Sequence, residues 1–260
     1  MGVRMILYFS GTGNSRLAAE QLAVLMDEQV HNIEQGAPPS LQEQDALILV
    51  APLYFWTLPH LVLSYLAQHQ ELNHNKLHAV MTCGGALGAG ASLITRQLRS
   101  LGFERVNVHA VVMTTNYIPL HQVQSPEAAA QAIRAALDKL PGIAADIRHK
   151  RGARASAFLA WGLPIAQGMY NRARRTWHFR ATTQCIGCGL CERDCPSQAI
   201  RLLNNSPTWI KSQCTLCLRC VHRCPIAAIE YGISTVGKER YHPEKFLLRH
   251  TRDNTNQEEE

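Results

Sequence analysis

The chain has 260 residues, nine of them cysteine, and a formal net charge of +6. This length leaves room for a core larger than that of one small metal-binding domain, so two domains are expected. The cysteine content predicts a reducing compartment, the cytoplasm, because thiolates kept for metal ligation would oxidise or pair elsewhere. No run reaches the apolar length of a membrane span, and the residues after Met1 leave no room for a signal-peptide core.

The charge is unevenly distributed along the chain. Residues 1–147 carry 8 Lys or Arg against 11 Asp or Glu, residues 148–249 carry 17 against 5, and residues 250–260 carry 1 against 4. An excess of this kind steers an acidic protein partner towards the basic region. Nucleic acid is the competing partner. However, the arginines lack the interleaved aromatic residues of a strand-binding groove, so no nucleic-acid binding is expected.

The first predicted elements are a strand, a loop and a helix. Residues 5–9 are an apolar run with β character, and residues 16–23 have helical spacing. Backbone N–H groups at a helix start, with hydroxyl and amide side chains beside them, bind a phosphate dianion without a lysine. An ordinary strand-to-helix turn is the alternative. The candidate phosphate ligands are Ser10, Thr12, Gly13, Asn14 and Ser15.

Four further strands alternate with helices after this loop. The strands are predicted at 28–33, 46–52, 77–82 and 106–113, and the helices at 60–68, 92–101 and 125–150. Five strands alternating with helices predict a doubly wound α/β sheet. In such a sheet the ligand lies off the carboxyl ends of the strands.

Three loops at those predicted strand ends complete the candidate ligand site. Aromatic residues follow the third strand, and glycines that allow close backbone approach follow the fourth. An alternative is that the aromatic residues cap the core and the glycines only turn the chain. The candidate ligand-binding residues are Pro52, Leu53, Tyr54, Phe55, Trp56, Thr82, Cys83, Gly84, Gly85, Gly88, Asn116 and Tyr117.

The loop Ser10–Ser15 resembles the flavodoxin phosphate loop, Ser/Thr-x-Thr-Gly-x-Ser/Thr, and the three later loops fall at flavodoxin positions. This resemblance implies a five-stranded parallel sheet in the order 2-1-3-4-5 with FMN bound at its edge. It also implies that Tyr54–Trp56 and Cys83–Gly85 flank the flavin ring. The sequence departs from the family at 56–59, where no glycine lies beside the ring, so the hydrogen bond to the flavin N5 does not carry over.

A basic and apolar connector is expected over residues 151–180. Residues 155–170 are apolar enough to pack against other parts of the protein, and arginines flank them. We expect this segment to brace the two domains. A peripheral contact with a membrane surface is the alternative, because segments that lie on membranes have the same composition.

Eight of the cysteines follow one spacing that occurs twice. Each run reads Cys-x-x-Cys-x-x-Cys-x-x-x-Cys-Pro, first from Cys185 to Pro196 and then from Cys214 to Pro225. Zinc knuckles also use Cys-x-x-Cys pairs, and a disulfide framework is a further alternative. Two runs that both end in Cys-Pro favour neither. Residues 181–232 resemble the bacterial two-cluster ferredoxins.

This second resemblance implies two [4Fe-4S] clusters in a small α+β domain. In these ferredoxins the fourth cysteine of each run ligates the other cluster. The expected ligands are Cys185, Cys188, Cys191 and Cys224 for one cluster, and Cys195, Cys214, Cys217 and Cys220 for the other.

As a whole, the chain resembles the flavodoxin–ferredoxin fusion proteins. The expected parts are a flavodoxin-like FMN domain at 1–150, the connector at 151–180, the ferredoxin domain at 181–232, and an extension at 233–260 that ends in a disordered acidic tail. Clusters carry single electrons and a flavin takes two, so the resemblance implies an electron carrier or oxidoreductase component with a protein partner. A flavoenzyme that reduces a small acceptor, with Tyr54, Tyr117 or His121 as proton donor, and a cluster-based sensor are the alternatives.

Overall fold

The computed structural model of the chain describes residues 4–38, 46–73, 76–149, 151 and 162–247. Residues 152–161 of the expected connector and the expected acidic tail lie outside the described residues. Two compact units make up the chain. The first consists of Met1–Ser10, Asn14–Met113 and Ala135–Tyr170, and the second of Gly11–Gly13, Thr114–Arg134 and Asn171–Glu260. The domain boundaries expected from the sequence stay a prediction.

The first unit is built on a five-stranded parallel sheet. Its strand order is β2-β1-β3-β4-β5, which confirms the predicted order. The strands are β1 (Arg4–Tyr8), β2 (Gln29–Asn32), β3 (Ala46–Pro52), β4 (Lys76–Cys83) and β5 (Val106–Val112). Pro52 pairs with Thr82 and Cys83 pairs with Val112, so β3, β4 and β5 end at one edge of the sheet.

Among the described residues, α-helices follow β1, β3 and β4, and three more come after β5. They are α1 (Asn14–Met26), α2 (His60–Gln68), α3 (Gly90–Ser100), α4 (Pro126–Leu137), α5 (Leu140–Arg148) and α6 (Leu163–Ala173). Leu22 of α1 and Leu140 of α5 share one buried cluster with Ile48 and Val80 of the sheet. Each such side chain contributes roughly 1.5–3 kcal/mol when it is fully buried. No described helix has the length and apolar character needed to cross a bilayer.

The second unit contains short elements around the cysteine runs. They are β6 (Phe179–Ala181), α7 (Leu190–Arg193), β7 (Ile200–Leu203), β8 (Ser206–Trp209), α8 (Arg219–Arg223) and β9 (Ile229–Tyr231). β6 pairs with β9 and β7 pairs with β8, both antiparallel. This is the small α+β arrangement that the ferredoxin resemblance implies.

The backbone of this unit repeats with a period of 29 residues. Three pairs of residues at this separation all have φ between 48° and 72°: Gly187 and Leu216, Gly189 and Leu218, and Gln198 and Ala227. Glycine adopts this left-handed conformation without a Cβ clash, whereas other residues do so at a cost of roughly 1–2 kcal/mol each.

Residues 233–247 pack into the second unit. Tyr241 and Phe246 are buried, and residues 243–247 are helical. Arg240 forms an ion pair with Glu230 at 2.8 Å. The same guanidinium donates to the carbonyl oxygens of Ala227 at 3.4 Å and Ile229 at 3.3 Å. This segment therefore fixes the chain shortly after Cys224.

Candidate cofactor sites

Two cavities of the second unit are each lined by four cysteines. One has an empty volume of about 340 Å³ and is lined by Cys185, Cys188, Cys191 and Cys224. The other has an empty volume of about 330 Å³ and is lined by Cys195, Cys214, Cys217 and Cys220. Each cavity thus combines three cysteines of one run with the fourth cysteine of the other run. This is the grouping that the ferredoxin spacing predicts, while ligation by these residues stays a prediction. We call them the Cys188 cavity and the Cys220 cavity.

Backbone amides face several of the cysteine sulfurs. The Ala199 N–H donates to Cys195 Sγ at 3.3 Å, and the Ala228 N–H donates to Cys224 Sγ at 3.2 Å. Both contacts join the fourth cysteine of a run to the residue four positions later, so the two halves of the repeat build the same feature. Hydrogen bonds of this kind stabilise negative charge on sulfur and raise the potential of a bound cluster.

Each cavity offers four cysteine sulfurs, which is the donor set of a [4Fe-4S] cluster. Burial, with neighbouring cysteines as a further cause, raises the pKa of Cys191 to about 11 and the pKa of Cys214 to about 12. A metal centre bound in the cavity would supply the positive charge that thiolates in such a setting need.

The two cavities differ in how far they open to solvent. Cys188 is exposed, and Ile186 and Ile226 beside it are 65% and 37% exposed. In the Cys220 cavity the wall includes Phe179 and Leu218, which are buried. The Cys188 cavity is therefore bordered by more exposed side chains than the Cys220 cavity.

The first unit contains part of the predicted phosphate loop at the start of α1. Ser10, Asn14 and Ser15 are buried there, and no acidic residue lies in the first turn of α1. The helix amides thus present a positive end to an anion. Ser15 Oγ lies 2.7 Å from Thr82 Oγ1, which ties the loop to the end of β4. These donors fit the phosphate of a flavin nucleotide.

The middle of that loop, Gly11–Gly13, belongs to the second unit. The side-chain amide of Asn116 donates to Thr12 Oγ1, which brings two predicted residues together. Arg219 Nε donates to the carbonyl oxygen of Gly11 at 3.1 Å. Gly13 has a φ of 118°, and a Cβ on it would lie 2.6 Å from Cγ of Pro243. Only glycine fits at this position.

The His222 side chain makes two hydrogen bonds within this unit that the sequence did not indicate. Its Nε2 lies 2.9 Å from the carbonyl oxygen of Asn116, and its Nδ1 lies 3.0 Å from the backbone nitrogen of Tyr241. A carbonyl only accepts and a backbone N–H only donates, so the ring is neutral with its proton on Nε2. Burial lowers the pKa of His222 to about 4, which keeps the ring neutral at physiological pH. His222 thereby ties α8 to the segment that holds Thr12.

The aromatic residues after β3 form a tight turn in the first unit. Tyr54 and Thr57 exchange two backbone hydrogen bonds, at 3.0 and 2.9 Å, and Phe55 and Trp56 have φ of 49° and 60°. The rings of Tyr54 and Phe55 pack on Tyr170 of α6, with centroids 6.2 and 6.0 Å apart. Trp56 is 47% exposed. Trp56 is therefore the aromatic residue of this turn with the most ring surface for a flavin.

The glycines after β4 lie at the same sheet edge. Gly84, Gly85 and Gly88 are exposed, so their backbone is accessible to a ligand. The Cys83 thiol donates to the carbonyl oxygen of Gly85 at 2.7 Å, and burial raises the pKa of this thiol. Cys83 therefore stabilises the loop as a thiol and is not activated as a thiolate. Leu53 joins this loop through its N–H, which donates to the carbonyl oxygen of Thr82 at 2.9 Å.

The three candidate proton donors are not all in one unit. Tyr54 belongs to the first unit, while Tyr117 and His121 belong to the second. Burial raises the pKa of Tyr117, which moves this phenol further from the pKa that suits a proton donor near neutral pH.

Two family models match the chain. Residues 5–114 match the flavodoxin domain, and residues 184–229 match the 4Fe-4S dicluster domain.

Similar proteins include one component of an ion-translocating oxidoreductase complex of Methanosarcina acetivorans. It is 46% identical over 46 residues, which are 18% of this chain and 17% of that protein. A ferredoxin-like protein in the nif region of a Nostoc species is 42% identical over 48 residues, 18% of this chain and 41% of that protein. The chain thus spans less than half the length of these relatives.

Among solved structures, a flavodoxin from the domain Archaea is 16% identical and covers 56% of this chain and 99% of its own, with a TM-score of 0.37. A putative flavoprotein from Bacteroides eggerthii is 17% identical and covers 54% and 98%, with a TM-score of 0.33. With the two family models, the chain joins a flavodoxin domain to a 4Fe-4S dicluster domain, which is the composition of the flavodoxin–ferredoxin fusion proteins.

Proposed function

We propose that the chain passes single electrons between two [4Fe-4S] clusters and a bound FMN, and exchanges them with a protein redox partner. The observation that carries this proposal is the grouping of eight cysteines into two four-cysteine cavities of nearly equal volume. The flavodoxin match and the buried donors Ser10, Asn14 and Ser15 support the flavin. The clusters supply one electron at a time, and the flavin accepts two, singly or as a pair.

The protein's own residues would set how readily electrons enter and leave. Amides of Ala199 and Ala228 face the fourth cysteine of each run, and the buried apolar side chains of Phe179 and Leu218 line the Cys220 cavity. Residues 171–247 also carry twelve Lys or Arg against five Asp or Glu. Nearby positive charge and sulfur hydrogen bonds both stabilise a reduced, more negative cluster.

The first test is an anaerobic count of iron, sulfide and released flavin per chain, with visible spectra before and after dithionite. We expect about eight iron atoms, about eight sulfides and about one FMN per chain, the content of two cubane clusters and one flavin. Half as much iron, or full iron without flavin, would contradict the three-centre proposal.

Four serine variants, compared in two pairs, test the crossed ligand sets. Cys224→Ser should give the same altered electron paramagnetic resonance spectrum as Cys185→Ser, and Cys195→Ser the same spectrum as Cys214→Ser, because each pair lines one cavity. Each variant should lose up to about four iron atoms. If Cys224→Ser instead matched Cys214→Ser, the ligands would come from single runs.

The flavin site and the flavoenzyme alternative are tested separately. Thr12→Glu should expel FMN by repelling its phosphate while the iron content stays unchanged, and retained flavin would move the phosphate site elsewhere. Steady reduction of a quinone or nitro compound, at a rate independent of any protein partner, would replace the electron-carrier proposal with a flavoenzyme.

A further inference from the structure

A ladder of aromatic rings in the second unit runs from the surface to the wall of the Cys220 cavity. Trp177 stacks on His178 with ring centroids 3.8 Å apart, and His178 stacks on Tyr231 at 4.9 Å. Tyr231 meets Phe179 edge to face at 5.0 Å, and Phe179 stacks on Trp209 at 5.7 Å. The last three separations lie within the roughly 4.5–7 Å range of favourable aromatic pairs, and the rings of the chain neighbours Trp177 and His178 are closer still. Phe179 and Trp209 themselves line the cavity, so the rings connect it to the surface without a gap.

The outer end of the ladder is an exposed apolar surface. Trp177 is 68% exposed, and Ile210 is 51% exposed. The chain segments next to them are joined, because the N–H of Thr176 donates to the carbonyl oxygen of Ser212 at 3.0 Å and the Thr176 hydroxyl donates to the carbonyl oxygen of Lys211. Tryptophan and arginine are the residues most enriched at the centres of protein interfaces. An exposed tryptophan with an apolar neighbour is therefore a candidate anchor for a partner.

Positive charge surrounds this anchor. Residues 171–191 and 202–218 contain four Arg, one Lys and no Asp or Glu. Arg172, Arg175, Arg180 and Lys211 are exposed among them. The acidic residue that pairs with Arg180 across the β6–β9 sheet is Glu230, which is buried and ion-paired with Arg240. The charge of this region is thus complementary to an acidic protein face.

The rim of the Cys188 cavity differs in this respect. Glu192 pairs with Arg201 at 3.1 Å, and Asp194 pairs with Arg223 at 2.6 Å. These ion pairs neutralise four charges near the rim, while the exposed Arg193, which donates to the Cys188 carbonyl oxygen at 3.0 Å, adds one positive charge there. The region around Trp177 has four exposed cations, so it steers an acidic partner more strongly.

We propose that the Trp177 surface, formed by Trp177, Ile210, Arg175, Arg180 and Lys211, is the docking site for an acidic one-electron redox protein. This inference rests on the proposed function, because it requires a cluster in the Cys220 cavity. One electron passes from the reduced cluster, which is oxidised, to the redox centre of the partner, which is reduced by one electron. No bond is formed or broken. Docking over Trp177 places the partner at the outer end of the ring ladder, which is the short route to a cavity lined by buried apolar side chains.

The experiment uses the full-length holoprotein, reduced anaerobically and freed of dithionite, in stopped-flow mixing with cytochrome b5 as an acidic one-electron acceptor. Trp177→Ala should lower the second-order rate constant about ten- to thirty-fold, the effect of removing an interface anchor. The wild-type rate should fall as ionic strength rises from about 0.01 to 0.15 M, because the screening length shortens from about 30 to 8 Å. The double variant R175Q/K211Q should react more slowly and lose most of this salt dependence.

Two variants serve as matched controls. Val24→Ala removes an apolar side chain that is 77% exposed on α1 of the first unit, and Leu203→Ala removes one that is 54% exposed on β7, next to Leu202 of the Cys188 cavity wall. Both should react at the wild-type rate. Ferricyanide, a small anionic acceptor that needs no docking, should oxidise Trp177→Ala as fast as the wild type, which shows that the cluster itself is unaltered.

Equal rates for Trp177→Ala and Val24→Ala would overturn the proposal, and so would a loss confined to Leu203→Ala, which would put docking at the Cys188 cavity. A wild-type rate that does not depend on ionic strength would also overturn the proposal that the partner presents an acidic face. Failure of the proposed function is recognised separately, because a wild-type protein without about eight iron atoms contradicts it before any mixing experiment. Each variant is therefore compared only after its iron, sulfide and flavin contents match those of the wild type.

Discussion

The buried ion pair between Glu230 and Arg240 yields a stability prediction with a defined size. Its nitrogen and oxygen lie 2.8 Å apart, and the side chains are 10% exposed for Arg240 and 6% for Glu230. Glu230→Gln keeps the shape of the side chain but leaves the guanidinium without a counter-charge. Removing one partner of a buried pair costs about 3–5 kcal/mol. Because the amide oxygen of glutamine still accepts from Arg240, we expect a loss of about 3 kcal/mol in the free energy of unfolding.

The assay is anaerobic urea unfolding of the holoprotein, followed by far-ultraviolet circular dichroism and by cluster absorbance. The exposed Glu239→Gln is the matched control and should stay within about 0.5 kcal/mol of the wild type. The double variant E230L/R240L should recover part of the loss, because it removes the uncompensated buried charge, while the carbonyl oxygens of Ala227 and Ile229 lose the donor that Arg240 supplied. If Glu230→Gln were as stable as Glu239→Gln, or the double variant were no better than the single one, the reasoning would be refuted.

Three further predictions concern the cavities and the sheet. Gly187→Ala should destabilise more than Gly189→Ala, by about 1–3 kcal/mol. A Cβ on Gly187 meets the backbone oxygen and the Cβ of Asn205 at 3.0 Å, whereas a Cβ on Gly189 meets only the flexible end of an arginine; equal urea midpoints would contradict this. A chelator should remove iron first from the Cys188 cavity, as electron paramagnetic resonance at intermediate iron loss would show, and simultaneous loss would count against the difference in exposure. His109 belongs to the first unit, and burial lowers its pKa below the ordinary value of 6.5. The folded state therefore binds fewer protons than the unfolded state as the pH falls through 6.5. The free energy of unfolding should then decrease as the pH decreases, by at most about 1.4 kcal/mol per pH unit for this group. His109→Gln should reduce the slope of the urea midpoint plotted against pH.

The sheet of the first unit was predictable from the sequence because its strands are continuous apolar runs. The strand predicted at 46–52 has the same bounds as β3, and the strand predicted at 77–82 is one residue shorter at each end than β4. Both strands are buried along nearly their whole length. A run that is apolar on both faces has few other stable placements than the centre of a parallel sheet.

Contacts between residues far apart in the chain were not predictable in this way. Tyr170 packs on Phe55, and His222 hydrogen-bonds to Asn116, which is 106 residues earlier. No local periodicity encodes such pairs, since they depend on how complete elements pack. The turn at Phe55 and Trp56 could not be predicted from the sequence for a different reason. Aromatic residues disfavour positive φ, so their sequence argues against the conformation that they adopt.

The 29-residue repeat shows how one backbone produces two different cavities. Gly187 and Gly189 hold the left-handed positions beside the exposed Cys188, and a Cβ on Gly187 would lie 3.0 Å from the backbone oxygen of Asn205. Leu216 and Leu218 hold the equivalent positions near the Cys220 cavity and are each 3% exposed. Burying a leucine contributes about 1.5–3 kcal/mol, which offsets the roughly 1–2 kcal/mol of backbone strain. The substitution of glycine by leucine is therefore stable only on the side of the Cys220 cavity, where it adds buried apolar surface. An electron in the Cys220 cavity then has apolar walls around it, with the aromatic ladder to Trp177 as the route that the proposed docking site uses.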